Sequence, residues 1–340
     1  MTDLVPEIRE TAVAWPVGRS RGNLRRYLVR RLGLSCATLF LVAATVFAAT
    51  VALPGNAARA ILGKSATPER LAALEKQLNL DQPPLQQFWD WLTGLLRGDL
   101  GTSLTSAEPV TSVIGTRLLN SGLLVLLATV IAVPLALVIG SWLAHNADRW
   151  VDVSAGVVTL VLVALPEFVI DIGVVIVFAT TVVHVFPPVS LLAPGEHALD
   201  HPSLVVLPVL TLVVSVLPYM VRMVRVTFIE VMGSEYIEMA RLKGLSERRI
   251  QLAHVLPNAI GPSLQVIAGQ LAWLAGGVVL VEYVFAFPGI GQGLTTAITA
   301  RDVPVIQAAT VMLATFYVLT NLVADLIVVM LTPKARMALR

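Results

Sequence analysis

Two carboxylates stand four residues apart in an apolar run. They are Glu167 and Asp171, just after Pro166. On a helix this spacing puts both on one face, with about 5–6 Å between their Cβ atoms. A carboxylate at the bilayer centre costs about 2.5–3.5 kcal/mol on insertion scales, and such groups usually face a cavity or a partner. The pair fits a polar cavity that receives a cationic group. The plainer alternative is a buried carboxyl that is protonated or hydrogen-bonded to a neighbouring helix. "GEHALDH" brings together Glu196, His197, Asp200 and His201. His197 and His201 would have the spacing of a metal pair if helical. Pro194 and Pro202 bracket a short loop instead, so no metal site is expected. "ARAILGKS" at 58–65 matches a relaxed phosphate-loop pattern. Its spacer residues Arg59, Ala60, Ile61 and Leu62 include no glycine, and an apolar helix rather than a strand precedes it. It reads as a surface turn, and no nucleotide hydrolysis is expected. The sequence has no His-Glu-x-x-His, nucleophile elbow or cysteine cluster, and its single cysteine, Cys36, rules out an internal disulfide.

A second kind of chemistry is docking. "EMARLKGLSERR", residues 238–249, is densely charged in a chain that is only 14% charged. Ser234 is placed to cap a helix with Glu235 and Glu238 in its first turn. Arg241 and Lys243 fall in its last turn, which complements the helix dipole. Gly244 fits the left-handed C′ position. Ser246 can cap a second helix, with Leu245 and Ile250 as a hydrophobic staple, running to Pro257. This predicts two short capped helices in a loop of nearly forty residues, over 222–259. Most connections are much shorter, and long structured loops are more often functional.

These groups must be positioned by membrane helices. The chain has 340 residues, 56% of them hydrophobic. Six apolar spans are expected, at about 32–53, 118–143, 153–183, 204–221, 260–281 and 305–331. Leu32 begins 22 uncharged residues, longer than a signal-peptide core of about 7–15 residues, so a retained first span is read there. Pro134, Pro166, Pro208 and Pro218 lie inside spans, and the third and sixth spans need tilt, kinks or protrusion. The basic residues give the orientation. Seventeen Lys and Arg fall in the N-terminal segment, the 144–150 loop, the 222–259 loop and the C-terminal tail, against seven elsewhere. The positive-inside rule then puts both termini and the charged helix in the cytoplasm. The expected divisions are a basic segment 1–31, a first span 32–53, an extracytoplasmic segment 54–117 of short helices, a five-span core 118–332 and a tail 333–340. "PERLAALEKQL" in the outer segment has helical spacing behind Pro68.

Glu238, Ala240, Gly244, Leu256 and Pro257 fill five positions of the pattern Glu-Ala-Ala-x-x-x-Gly, nine residues, Ile-x-Leu-Pro. Met239 and His254 depart from it and leave the capped geometry intact. The pattern resembles the signature of permease subunits of bacterial ABC importers. "LDQPPLQQFWDWLTGLLRGDLGTS", "VVLVEYVFAFPGIGQGLTTAITARDVPVIQA" and "NLVADLIVVMLTPKAR" extend the likeness over about 25–340, to the first permease chain of the dipeptide/oligopeptide family. The resemblance implies an all-α, polytopic membrane protein with six transmembrane helices and a cytoplasmic coupling helix, the type I ABC importer permease fold. It implies a bacterial plasma-membrane subunit, not an enzyme, that forms half of a path for di- or oligopeptides and moves by alternating access. The implied partners are a second permease subunit, one or two ATPase subunits that bind ATP and magnesium, an extracytoplasmic substrate-binding protein and the lipid bilayer. No cofactor on this chain and no nucleic acid are implied.

The coupling residues implied are Glu235, Glu238, Ala240, Arg241, Lys243, Gly244, Leu256 and Pro257. Glu167 and Asp171 are the path residues, and Asp171 departs from the small residue common in the family. Glu282, Phe287, Pro288 and Gly289 are gate candidates at an outer turn, for which a structural role is the stronger reading. Asn321 and Asp325 share a face of the last span, and interhelical bonding is expected of them. Nickel or glutathione cargo is the alternative within the family. A proton-coupled secondary transporter and an intramembrane enzyme are the rivals outside it. The first would need inverted repeats, which are not found.

Overall fold

The computed structural model describes residues 22–52, 67–69, 82–182, 184–192, 196 and 198–331. Those residues form helices and connecting turns, with one isolated bridge between Thr102 and Pro109. In chain order the helices are α1 (Gly22–Ala52), α2 (Pro84–Leu96), α3 (Val110–His145), α4 (Trp150–Ala164) and α5 (Glu167–Val175). They continue with α6 (Pro202–Met232), α7 (Glu235–Leu242), α8 (Glu247–Ile250), α9 (Leu256–Val284), α10 (Ile290–Ala300) and α11 (Val303–Leu331). The phosphate-loop-like stretch 58–65, most of the helix expected after Pro68, His197 and the tail 333–340 lie outside the described residues.

The core is built on α3 and α6, the most extensive helix pair. Ala128, Ala132, Ala136 and Gly140 recur every fourth residue on α3, and all are buried. Small residues let helix backbones approach closely within a membrane. At Gly140 the approach leaves no room for a side chain, because a Cβ would lie 2.7 Å from Val224 Cβ and 2.9 Å from the Val221 carbonyl oxygen. Pro208 inside α6 has no N–H for the carbonyl of Leu204, and Ser190 Oγ donates to that oxygen instead, at 2.6 Å.

Five continuous helices among the described residues are long and apolar enough to cross a bilayer. They are α1, α3, α6, the rod from Glu247 to Val284, and α11. The third expected span, 153–183, is not one kinked helix. It is α4 followed by α5, bent by 107°, and it makes the sixth crossing if the pair is one span. Leu165 and Pro166 are extended, with ψ of 135° and 144°. The residue before a proline is pushed out of the α region, so the break falls here. The helices also outrun their apolar runs. α6 continues to Met232 and the next rod begins at Glu247, so α7 and its turns are all that separate them.

α1 and α11 run side by side. Arg31 Nη2 pairs with Asp325 Oδ2 at 2.5 Å, and Gln307 Nε2 donates to Thr50 Oγ1 at 2.8 Å. Arg31 and Thr50 are separated along α1 by about 28 Å at 1.5 Å per residue, close to the bilayer core of about 30 Å. α2 is amphipathic. It buries Phe88 and Leu92 against α1 and Val311, and Phe88 stacks edge-on to Phe40 and Phe47 at 6.0 and 5.3 Å between centroids. At the junction of α10 and α11, Asp302 gathers the 103–105 turn. It accepts from Ser103 Oγ at 2.5 Å, Thr105 Oγ1 at 2.8 Å, and the N–H groups of Leu104 and Thr105 at 3.1 and 3.2 Å.

Candidate functional site

The charged stretch folds as α7, a glycine turn and the start of the α8–α9 rod. Ile237 is fully buried and Ala240 nearly so, which packs one face of α7 onto the main core. Glu235, Glu238, Arg241 and Lys243 are exposed. Tyr236, Met239 and Leu242 are also exposed, by 48%, 53% and 76%. Their spacing of three places them along one stripe of the helix. In the sequence this stripe is masked by the charges between its members.

Gly244 has φ +77°, its N–H bonds the Arg241 carbonyl at 2.9 Å, and the Leu245 N–H bonds the Ala240 carbonyl at 3.3 Å. These are the paired bonds of a Schellman close, as the C′ assignment requires. Arg241 Nε reaches Glu247 Oε1 at 2.8 Å across the turn. The serine caps differ from expectation. Ser234 and Ser246 have the extended backbone of N-cap residues, but neither hydroxyl caps. Ser234 Oγ donates backwards to the Val231 carbonyl at 2.5 Å. The second helix is not short either. A π turn over Gln251–Val255 carries it into α9, whose second residue is Pro257. Leu256 is half-buried on the core and Pro257 is exposed.

At the far end of α9, Glu282 is fully buried. Its carboxylate accepts from Ser121 Oγ, from the Gly291 N–H at 2.7 Å and from the Gln292 N–H at 3.3 Å. It therefore caps α10 from the preceding helix, where a negative group also complements the helix dipole. Three side chains of α3 clamp the same turn. Ser121 Oγ accepts from the Ile290 N–H at 2.9 Å, Asn120 Nδ2 donates to the Pro288 carbonyl at 2.9 Å, and Arg117 Nη1 donates to Gln292 Oε1 at 2.5 Å. Phe287 is fully buried, and a Cβ on Gly289 would collide with the Glu282 carboxylate. The four gate candidates thus form one rigid turn. Arg117, Asn120 and Ser121 were missed from the sequence because their partners lie about 170 residues away.

Glu167 and Asp171 come together on α5, which packs against α6 and α9. Asp171 is fully buried, and neither of its carboxylate oxygens has a hydrogen-bond partner. Glu167 is half-buried and lies over α9 at Gly277, where a Cβ would sit 2.5 Å from Glu167 Oε1. Along α9, Gly277 is about 7.5 Å from Glu282 and about 31 Å from Leu256 at 1.5 Å per residue. The pair therefore sits near the Glu282 end of the rod.

No group of three or more metal-ligating side chains occurs among the described residues. His201 Nε2 lies 3.4 Å from Glu196 Oε2 on the surface. Asp325 makes an interhelical pair with Arg31, as expected, but Asn321 Nδ2 bonds its own helix at the Tyr317 carbonyl, 3.0 Å away.

The family model described as "binding-protein-dependent transport system inner membrane component" matches residues 136–337. The model of the N-terminal part of the same membrane component matches residues 24–125. The glutathione transport system permease protein GsiC of Salmonella typhimurium is 34% identical over 310 residues, 91% of this chain and 98% of that protein. Its namesake from Escherichia coli is 33% identical over the same length. A Brucella abortus protein bearing the name of a peptide transport system permease is 33% identical over 309 residues, again 91% of this chain and 98% of its own length.

Proposed function

The chain belongs to the inner membrane components of binding-protein-dependent transport systems, the permease subunits of ABC importers, and from that premise we propose that its cargo is a di- or oligopeptide. It is a multi-pass inner membrane protein, and it serves as a transporter subunit rather than as an enzyme. Importers of this kind work with ATPase and substrate-binding partners. Our fuller reading is that this chain pairs with a second permease subunit and rests on one or two ATPases that carry ATP and magnesium. Both termini and the 222–259 segment then lie on the cytoplasmic side, in keeping with the distribution of lysine and arginine.

The coupling assignment is carried by one observation. α7 is pinned by Ile237, locked by the left-handed Gly244, and leaves Tyr236, Met239 and Leu242 uncovered. A short helix held this firmly transmits a push as a rigid body, and its apolar stripe suits a groove on an ATPase. Glu235, Glu238, Arg241 and Lys243 would rim that contact, with Leu256 and Pro257 where the rod begins. Alternating access then moves the path at Glu167 and Asp171, while Glu282, Phe287, Pro288 and Gly289 form the rigid turn of the outer gate. Gly244→Pro, which cannot adopt φ +77°, and Glu238→Lys should each abolish ATP-driven uptake while the protein stays in the membrane. Normal uptake by both variants would sink the assignment. Glutathione is the second reading, supported by the relatives that carry its name.

A further inference from the structure

We infer that Glu167 and Asp171 form a subsite for a primary ammonium group of the cargo, a reading that rests on the chain being an importer permease. Asp171 is fully enclosed with both oxygens unpartnered. Neither it nor Glu167 belongs to any ion pair among the described residues. A buried carboxylate without a partner carries a desolvation penalty of several kcal/mol, so the site is incomplete as the chain stands alone. The helix start offers only local relief. Glu167 lies in the first turn of α5, where the dipole acts, whereas Asp171 lies a full turn further on, where that effect has faded.

The shape of the site narrows the ligand. Gly277 gives the Glu167 carboxylate the space it occupies, and an alanine there would press on Oε1 from 2.5 Å. The two carboxylates stand one turn apart on the same face, Glu167 half-exposed and Asp171 beyond it. A ligand that meets Asp171 therefore passes Glu167, the more exposed of the two. No third acidic or metal-ligating side chain joins these two among the described residues, so the pair falls short of an all-protein calcium or zinc ligand set. A proton would remove the charge but leave the O–H and C=O of the buried carboxyl without partners. An ammonium brings three N–H donors and one positive charge, enough to bridge both carboxylates. The cargo class is then one with a free primary amine at one end.

The test uses the intact importer, permease pair and ATPases together, in lipid vesicles. A membrane-permeant carbodiimide is added, and adducts at Asp171 and Glu167 are read by mass spectrometry. Trialanine should lower the Asp171 adduct by on the order of tenfold, the scale of one charge-assisted contact, while N-acetyltrialanine and sodium chloride leave it unchanged. Equal protection by N-acetyltrialanine or by sodium overturns the proposal, as does an adduct indifferent to all three, or no adduct without any probe. With the binding protein present, Asp171→Asn should cut the uptake preference for trialanine over N-acetyltrialanine by a similar factor. An unchanged preference also overturns the proposal. If the importer reading itself were wrong, the wild-type complex would show no ATP-dependent uptake, which is a separate result from uptake with unprotected carboxylates.

Discussion

Glu282 and Asp171 are both fully enclosed carboxylates in one apolar bundle, and their surroundings are opposite. Glu282 accepts from a serine and from two backbone N–H groups at the start of α10. Asp171 accepts from nothing. The first is held as part of the architecture, with every contact made within the chain. The second is a cost that the fold does not recover, and a cost of that kind is tolerated where a ligand or a partner completes the site. Of two intramembrane acids, the one with partners explains stability and the one without them points to function.

The largest expected effect comes from deleting each carboxyl. Glu282→Ala leaves the Gly291 and Gln292 N–H groups without their acceptor, while Ser121 Oγ keeps the Arg117 carbonyl, and should destabilise the protein by about 3 kcal/mol. Asp171→Leu removes an uncompensated buried group, so it should be neutral or stabilising by about 1 kcal/mol. Thermal unfolding of the detergent-purified protein measures both. Equal losses at the two positions would break the contrast.

A finer probe adds one methyl group beside each acid. Gly289→Ala would drive a Cβ into the Glu282 carboxylate, which is pinned from three directions. Overpacking of that kind costs about 1–3 kcal/mol. Gly277→Ala meets only the far end of the Glu167 side chain, which has no bond to hold it. That carboxylate can swing away, and the cost should stay below about 1 kcal/mol. Melting curves of the two variants compare them directly. A larger loss at Gly277 would mean that Glu167 is fixed by something beyond this chain.

The sequence carried these features unevenly. The apolar spans were readable because a helix that crosses a bilayer must be apolar over about 20 residues. Gly244 was readable because its signal is local, a glycine just after a basic last turn. The break at Pro166 was not, since Pro134, Pro208 and Pro218 look alike in sequence and sit inside unbroken helices. What separates them is tertiary, as with Ser190 reaching the carbonyl that Pro208 frees. The acid pair was visible as spacing, but not that Asp171 is unpartnered. Ser121 and Glu282 meet across 161 residues, a pairing that no local pattern announces.

Asp302 sharpens the contrast from outside the spans. It resembles Glu282 in being saturated with donors, and it differs in sitting between α10 and α11, where proton exchange with water can test it. Burial pushes its carboxyl up, but the bonds from Ser103, Leu104 and Thr105 outweigh that and hold it below the usual carboxylate range. A depressed folded-state value means that its stabilisation is complete above the unfolded value of about 3.9 and is lost as pH falls through the lower folded value. Wild type should therefore melt above Asp302→Asn by a constant margin, about 1 kcal/mol in stability, from pH 8 to about pH 5. Below about pH 4 the margin should close, because protonation turns the wild-type carboxylate into a neutral group like the amide. A margin that persists unchanged at pH 3 would show that the 103–105 turn is held by shape alone, and Asp302 would then be no counterpart of Glu282.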